Sequence, residues 1–140
     1  MELLVWSHIY SVGDKTIDDQ HRKLMQLLND LHNVSGNGNE HDGVNTVLDE
    51  LVNYTVYHFS SEENMFRQHG YPYAQEHEAI HKKLVSDVQH YIGLFKENDT
   101  AAREQLMVFL TNWLKDHILG DDKKFGKFLE ERHEEVEEDL

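Results

Sequence analysis

His58-Phe59-Ser60-Ser61-Glu62 places an imidazole and a carboxylate four residues apart inside a run of helical periodicity. Positions i and i+4 share one face of an α-helix, one turn apart. A ring nitrogen and a carboxylate oxygen can therefore reach one metal ion, or two adjacent ones. Val44, Val47, Leu48, Leu51 and Thr55 lead into this pair at helical spacing and Met65 follows it, which predicts a helix from about Asp42 to Gln68. His58 and Glu62 then lie on its inward face. An unpaired buried carboxylate is costly, whereas one bound to a cation is not, so the placement itself argues for a metal. The spacing alone does not, because His133 and Glu137 repeat it in an acidic tail that has no apolar face.

Three more stripes surround this helix. Ile17, His21, Leu24, Leu28 and Leu31 predict a helix beginning near Asp18, with Asp18 or Asp19 as its N-terminal acid, and ending before the loop Ser35-Gly36-Asn37-Gly38-Asn39. His77, His81, Leu84, Val88, Tyr91, Ile92 and Phe95 share a face of a helix from about Pro72 to Lys96. Gly70 suits the cap before it and Pro72 its first turn. Glu97-Asn98-Asp99-Thr100 reads as a loop, with Asp99 or Thr100 as N-cap. From Ala101 a fourth helix carries Leu106, Leu110, Trp113, Leu114 and His117 inward. Asp122 lies five residues beyond His117, a turn of about 140° on a regular helix, so the two converge only if the helix distorts or ends. Gly120 permits that distortion. Residues 1–16, with Trp6, Ile9, Tyr10 and Val12, form an N-terminal arm, and Phe125 and Phe128 fall on a short last helix over Lys123 to Glu130. The fold class is all-α: an up-down-up-down antiparallel four-helix bundle with an N-terminal arm and a short C-terminal helix. The domain spans 1–130, followed by an acidic tail over 131–140.

Composition narrows the function. The 140 residues carry a net charge of −14, which disfavours nucleic acid and anionic membranes as partners. The last eleven residues contribute seven acids and one arginine, a solvated helix end. No apolar run approaches membrane-spanning length, and the start Met1-Glu2-Leu3-Leu4-Val5-Trp6 is too short and acidic for a signal peptide, so the cytoplasm is the expected compartment. There is no cysteine, which removes disulfides and thiolate ligands, and there are eleven histidines. Histidine is the commonest protein metal ligand.

The inward polar set is His21, His58, Glu62, His77, His81, His117 and Asp122. Five imidazoles and two carboxylates exceed what one tetrahedral zinc takes. They suit two adjacent six-coordinate ions, with each carboxylate touching both. Nitrogen and oxygen donors without thiolate fit iron, manganese or zinc. His8, His32, His41, His69, His90 and His133 read as surface or packing residues.

These motifs, Asp18-x-Gln20-His21, His58-x3-Glu62, His77-x3-His81 and His117-x4-Asp122, resemble the hemerythrin family in its single-domain bacterial form. Trp6, Val12-Gly13, Glu62-Glu63 with Met65, Gly70-Tyr71-Pro72 and Trp113-Leu114 agree, and the likeness spans roughly residues 5 to 129. The resemblance implies a non-haem di-iron centre, two iron ions joined by an oxo or hydroxo bridge. His77, His81 and His117 would bind one iron and His21 and His58 the other, with Glu62 and Asp122 bridging. Dioxygen would be the ligand, at the open position of the two-histidine iron, in a pocket lined by Phe59, Trp113, Leu114 and Ile118. The implied function is reversible dioxygen binding for storage or delivery to an oxygen-consuming enzyme, by a monomer that is not an enzyme. The alternative is oxygen or redox sensing through the same site. Di-iron oxidases typically draw four carboxylates and two histidines. The opposite balance here favours binding oxygen over splitting it.

Overall fold

The computed structural model describes residues 4–35, 40–96 and 100–138. Five helices follow in order: α1 (Lys15–Ser35), α2 (Glu40–His69), α3 (Ala74–Lys96), α4 (Thr100–His117) and α5 (Lys123–Glu138). The first four form the antiparallel bundle. A 3₁₀ turn at His8–Tyr10 belongs to the N-terminal arm, and one π-helical turn, Ile118–Asp122, joins α4 to α5. The loop read at 36–39 and the one at 97–99, with its cap at Asp99, lie outside the described residues, as do the side chains of Val44 and Phe95. Among the described residues no helix is long and apolar enough to cross a membrane.

Helix starts and stops follow local chemistry. α1 begins three residues before Asp18, because Asp14 is the cap: its Oδ2 accepts from the Ile17 amide at 3.0 Å. Asp18 stands in the first turn, the N-terminal acid of the sequence reading, and also binds the arm. Its Oδ1 accepts from the Val12 amide at 2.8 Å and its Oδ2 from the Ser11 hydroxyl at 2.6 Å. Further up the arm, Asn29 receives the Leu4 amide at 3.0 Å and donates to the Leu4 carbonyl at 2.7 Å. Gly70, at φ +62°, ends α2 in a left-handed cap. Behind it the Tyr71 amide donates to the Phe66 carbonyl at 2.9 Å, a six-residue closure that leaves few helix-end carbonyls unmet. Pro72 falls in the turn before α3 rather than within it. α5 continues past Glu130 to Glu138, because residues 127–138 offer no glycine or proline to stop it.

The interior divides by polarity. One apolar cluster, including Leu28, Leu31, Leu48 and Leu106, fills the bundle, and a second joins Ile17, Phe66, Tyr71 and Phe125 where the arm and α5 close over it. α5 approaches the arm so closely that a Cβ on Gly126 would stand 2.1 Å from the Val12 carbonyl oxygen. Only glycine fits there.

Candidate metal centre

All seven inward polar side chains are buried, and Glu62 and His21 are sealed completely. α1 contributes His21, α2 His58 and Glu62, α3 His77 and His81, α4 His117, and the π turn Asp122. Their ligand atoms form two overlapping groups, within each of which all atoms lie inside 4.8 Å of one another. Glu62, His77, His81, His117 and Asp122 make one, and His21, His58, Glu62 and Asp122 make the other.

The carboxylates divide their oxygens between the two groups. Asp122 Oδ2 lies 2.9 Å from His21 Nε2, while its Oδ1 lies 3.0 Å from His77 Nε2 and 3.1 Å from His117 Nε2. Glu62 Oε2 lies 3.2 Å from His58 Nε2, while its Oε1 lies 2.9 Å from His77 Nε2 and 3.6 Å from His81 Nε2. Each carboxylate thus offers one oxygen to each group, the arrangement a bridging ligand requires.

Close approach does not satisfy these atoms. Both oxygens of Glu62 and of Asp122, and both ring nitrogens of His21, make no hydrogen bond despite the short distances. Buried polar atoms are normally paired, and orphaned ones demand a cause. A cation between them removes the cost, because lone pairs aimed at a common centre are then ligands. His117 Nε2 stands 3.1 Å from His77 Nε2 and 3.2 Å from His81 Nε2. Two nitrogens about 2.1 Å from one ion, at right angles, would stand about 3.0 Å apart, and at a tetrahedral angle about 3.4 Å. The observed spacings fall between the two, as expected of rings that can share one ion. The donor set therefore fits two hard-to-borderline cations.

Outer hydrogen bonds fix two of the rings. His58 Nδ1 donates to Gln20 Oε1 at 2.6 Å, and Gln20 Nε2 donates to Ser61 Oγ at 3.1 Å, so α1 holds an α2 ligand. His117 Nδ1 donates to Asp121 Oδ2 at 3.1 Å. In the neutral form of each ring, the proton held on Nδ1 leaves the Nε2 lone pair facing the cluster. His81 Nδ1 faces Glu63 Oε2 at 3.7 Å, beyond hydrogen-bond reach. Sequence reasoning gave no role to Gln20 or Asp121. Asp121 was accessible to it, since it lies four residues after His117, the spacing that singled out Glu62.

Protons respond to the same field. Burial opposes charge on His77, but the adjoining Asp122 and Glu62 carboxylates prevail and raise its pKa to about 9. His117 is likewise opposed by burial, then raised to about 10 by Asp122 and by its bond to Asp121. Burial lowers His81 to about 2, and the neighbouring His77 and His117 deepen the effect. Burial would raise the Asp122 carboxyl, yet His117 beside it holds it well below the usual carboxylate range. The two carboxylates favour positive charge at His77 and His117, and those two rings disfavour a further one at His81.

Aromatic rings wall the cluster. Phe59 stacks on His81 at 3.8 Å and Trp113 on His117 at 4.3 Å between centroids, while Phe66 tilts against His77 at 4.7 Å. A cavity of about 30 Å3 abuts His58, His117 and Asp122, with Phe59, Trp113 and Leu114 in its wall. Ile118 is fully buried but does not line it, a departure from the sequence reading. It packs instead within the apolar cluster that also holds Phe59 and Leu114.

Fold and cluster together define a helical-bundle protein with a buried nitrogen- and oxygen-donor metal centre. Residues 12–129 match the Hemerythrin HHE cation binding domain. The chain is 35% identical over 126 residues to a bacteriohemerythrin of Stenotrophomonas maltophilia, covering 90% of this chain and 81% of that one. It is 31% identical over 130 residues to a bacteriohemerythrin of Methylococcus capsulatus, covering 92% and 98%. A crystal structure of a wild-type hemerythrin superposes with a TM-score of 0.82 at 30% identity, covering 89% of this chain and 96% of that one. The chain belongs to the hemerythrin family.

Proposed function

We propose that this protein binds dioxygen reversibly, for storage or delivery, at two iron ions held by His21, His58, Glu62, His77, His81, His117 and Asp122. The observation that carries this reading is the asymmetry of the two overlapping groups. Both contain Glu62 and Asp122, but one adds three histidines and the other only two. The second group has fewer protein donors and so would leave a position for a small ligand, and the cavity touches its His58 as well as His117 of the first. When bound, the iron pair supplies the electrons and the open coordination position that side chains lack.

The chain's own residues do the rest. Glu62 and Asp122 would each offer one oxygen to either ion and offset the charge of both. Gln20 and Asp121 keep His58 and His117 in the tautomer that ligates. Phe59, Trp113 and Leu114 exclude water, so that a ligand reduced in the site has no hydrogen-bonding solvent to leave into. With five imidazoles to two carboxylates, the donor set is suited to binding dioxygen rather than splitting it, and the protein acts as a carrier rather than an enzyme.

The test is to load the protein with iron, reduce it without air, and record its visible spectrum before oxygen, after oxygen and after purging. Two irons per chain and a charge-transfer band that appears with oxygen and fades on purging are expected. Irreversible oxidation with no such band would move the reading to redox sensing or catalysis. Failure to retain two irons would sink it.

A further inference from the structure

We infer that dioxygen reaches the centre along the seam between α2 and α3, through two small apolar cavities in series; this rests on the dioxygen reading above. α2 lies close along α1 and makes fewer approaches to α3. In that looser seam lies a second cavity of about 40 Å3. It shares Leu51, Thr55, Leu84 and Leu110 with the cavity against His58, so four side chains form the septum between them. At its outer end it reaches Val56 and Val85, which also line an open cleft of about 290 Å3 on the surface; Phe59 and His81 line that cleft too, but their rings stack at 3.8 Å and close the direct way in. Val56 is 48% exposed, so the wall of the outer cavity reaches the surface there. Cleft, outer cavity, septum, inner cavity and ligand cluster therefore follow one another without a gap in shared residues.

The chemistry of the walls selects what can pass. Each cavity exceeds the roughly 10–15 Å3 that one water needs, but a water also needs polar partners, and apolar cavities stay dry and take up apolar gases. The outer cavity is lined by aliphatic side chains except at Thr55 and Gln89. The Thr55 hydroxyl already donates to the Leu51 carbonyl at 2.6 Å, so the one polar group in the septum has its donor engaged within the helix. Dioxygen, small and apolar, crosses such a septum during side-chain rotations on the picosecond-to-nanosecond scale. Water and superoxide must shed hydration to follow, at a cost the walls do not repay. The seam thus admits the ligand and retains its reduced form.

Two measurements test this. Crystals of the iron-loaded protein under xenon pressure should show xenon in both cavities, a readout that needs no oxygen chemistry. Stopped-flow association and dissociation of dioxygen should both slow several-fold in Val85→Trp, with their ratio unchanged, because a blocked path alters rates and not equilibrium. Val52→Ala, which widens the outer cavity, should speed both and serves if the tryptophan variant does not fold. Rates unaltered in these variants overturn the inference whatever xenon does. A native protein that binds no oxygen reversibly overturns the parent reading, while xenon in both cavities would still support the path for an apolar gas.

Discussion

Two helices each offer a histidine followed by a carboxylate, and they do it differently. On α2, His58 and Glu62 stand four residues apart in regular helix and face the same way. On the α4 side, His117 and Asp122 stand five apart, and the chain passes through a π turn between them, in which the Lys123 amide donates back five residues to the Ile118 carbonyl. One extra residue per turn rotates Asp122 inward. It also frees the i+4 position for a second use, since Asp121 there bonds the far side of the His117 ring. The α2 pair has no such device within its own helix, and its histidine is held from α1 by Gln20. Regular helix gives two ligands; a helix with one inserted residue gives two ligands and a support.

Removing either carboxylate should have the largest effect. Glu62→Ala and Asp122→Ala each delete an oxygen from both groups, so elemental analysis should find iron fall from two per chain to one or none, with the helical circular dichroism retained. Two tightly bound irons in either variant would contradict a shared-carboxylate centre. The comparison is sharpened by the supports. Asp121→Ala and Gln20→Ala should each weaken metal affinity about 10- to 100-fold, the usual cost of losing the partner of a ligating histidine. Asp121→Ala should act on the three-histidine group and Gln20→Ala on the two-histidine group, which competition with a chelator under stepwise loading can separate.

The π turn also sets the phase of α5, and Gly126 is where that phase meets the arm. In Gly126→Ala the new methyl must push back the Val12 backbone, an overpacking that costs about 1–3 kcal/mol. Thermal unfolding should report it, with iron stoichiometry preserved. A variant as stable as the parent would mean that the arm yields freely.

Protonation distinguishes the two sides again. His77 and His117, raised to about 9 and about 10, carry protons at pH 7 in the absence of metal. Metal binding must displace them, so loading at pH 7 should release about two protons per chain. The sign follows: affinity rises with pH through this range and levels off once both rings are neutral. Titration in weakly buffered solution measures the release, and none at pH 7 would show that these rings are already neutral before the metal arrives.

Much of this fold could be read from residue spacing. Ile17, Leu24, Leu28 and Leu31, and their counterparts on the other helices, face inward because apolar burial dominates helix orientation. What escaped depended on contacts between segments. Asp18 is the first-turn acid that the sequence suggests, but its bonds to the arm escaped, since the arm's path over α1 is not encoded near it. Gln20 is a neutral side chain with no spacing rule, and its value appears only when α1 meets α2. Gly126 reads as a weak point in a helix until Val12 is found against it. The five-residue step to Asp122 announced a distortion, but not that a π turn would leave the helix unbroken.

The smallest effect expected concerns the cavity wall, to which both helices contribute. α2 supplies Phe59, next to its ligand, and α4 supplies Leu114, three residues before its own. The cavity is large enough for a water, at about 30 Å3, and apart from Thr55 and the cluster residues His58, His117 and Asp122 its wall is aliphatic and aromatic. Leu114→Gln adds a donor and an acceptor to that wall without touching a ligand. Water admitted there would solvate charge as it leaves the site, so the oxygenated form should autoxidise several-fold faster, measured as the decay of its visible band in air. Leu114→Met, of similar volume and still apolar, should change the decay little, which separates wetting from mere repacking. Equal decay in the native protein and Leu114→Gln would place water exclusion elsewhere, in the stacked rings of Phe59 and Trp113 rather than in the aliphatic wall.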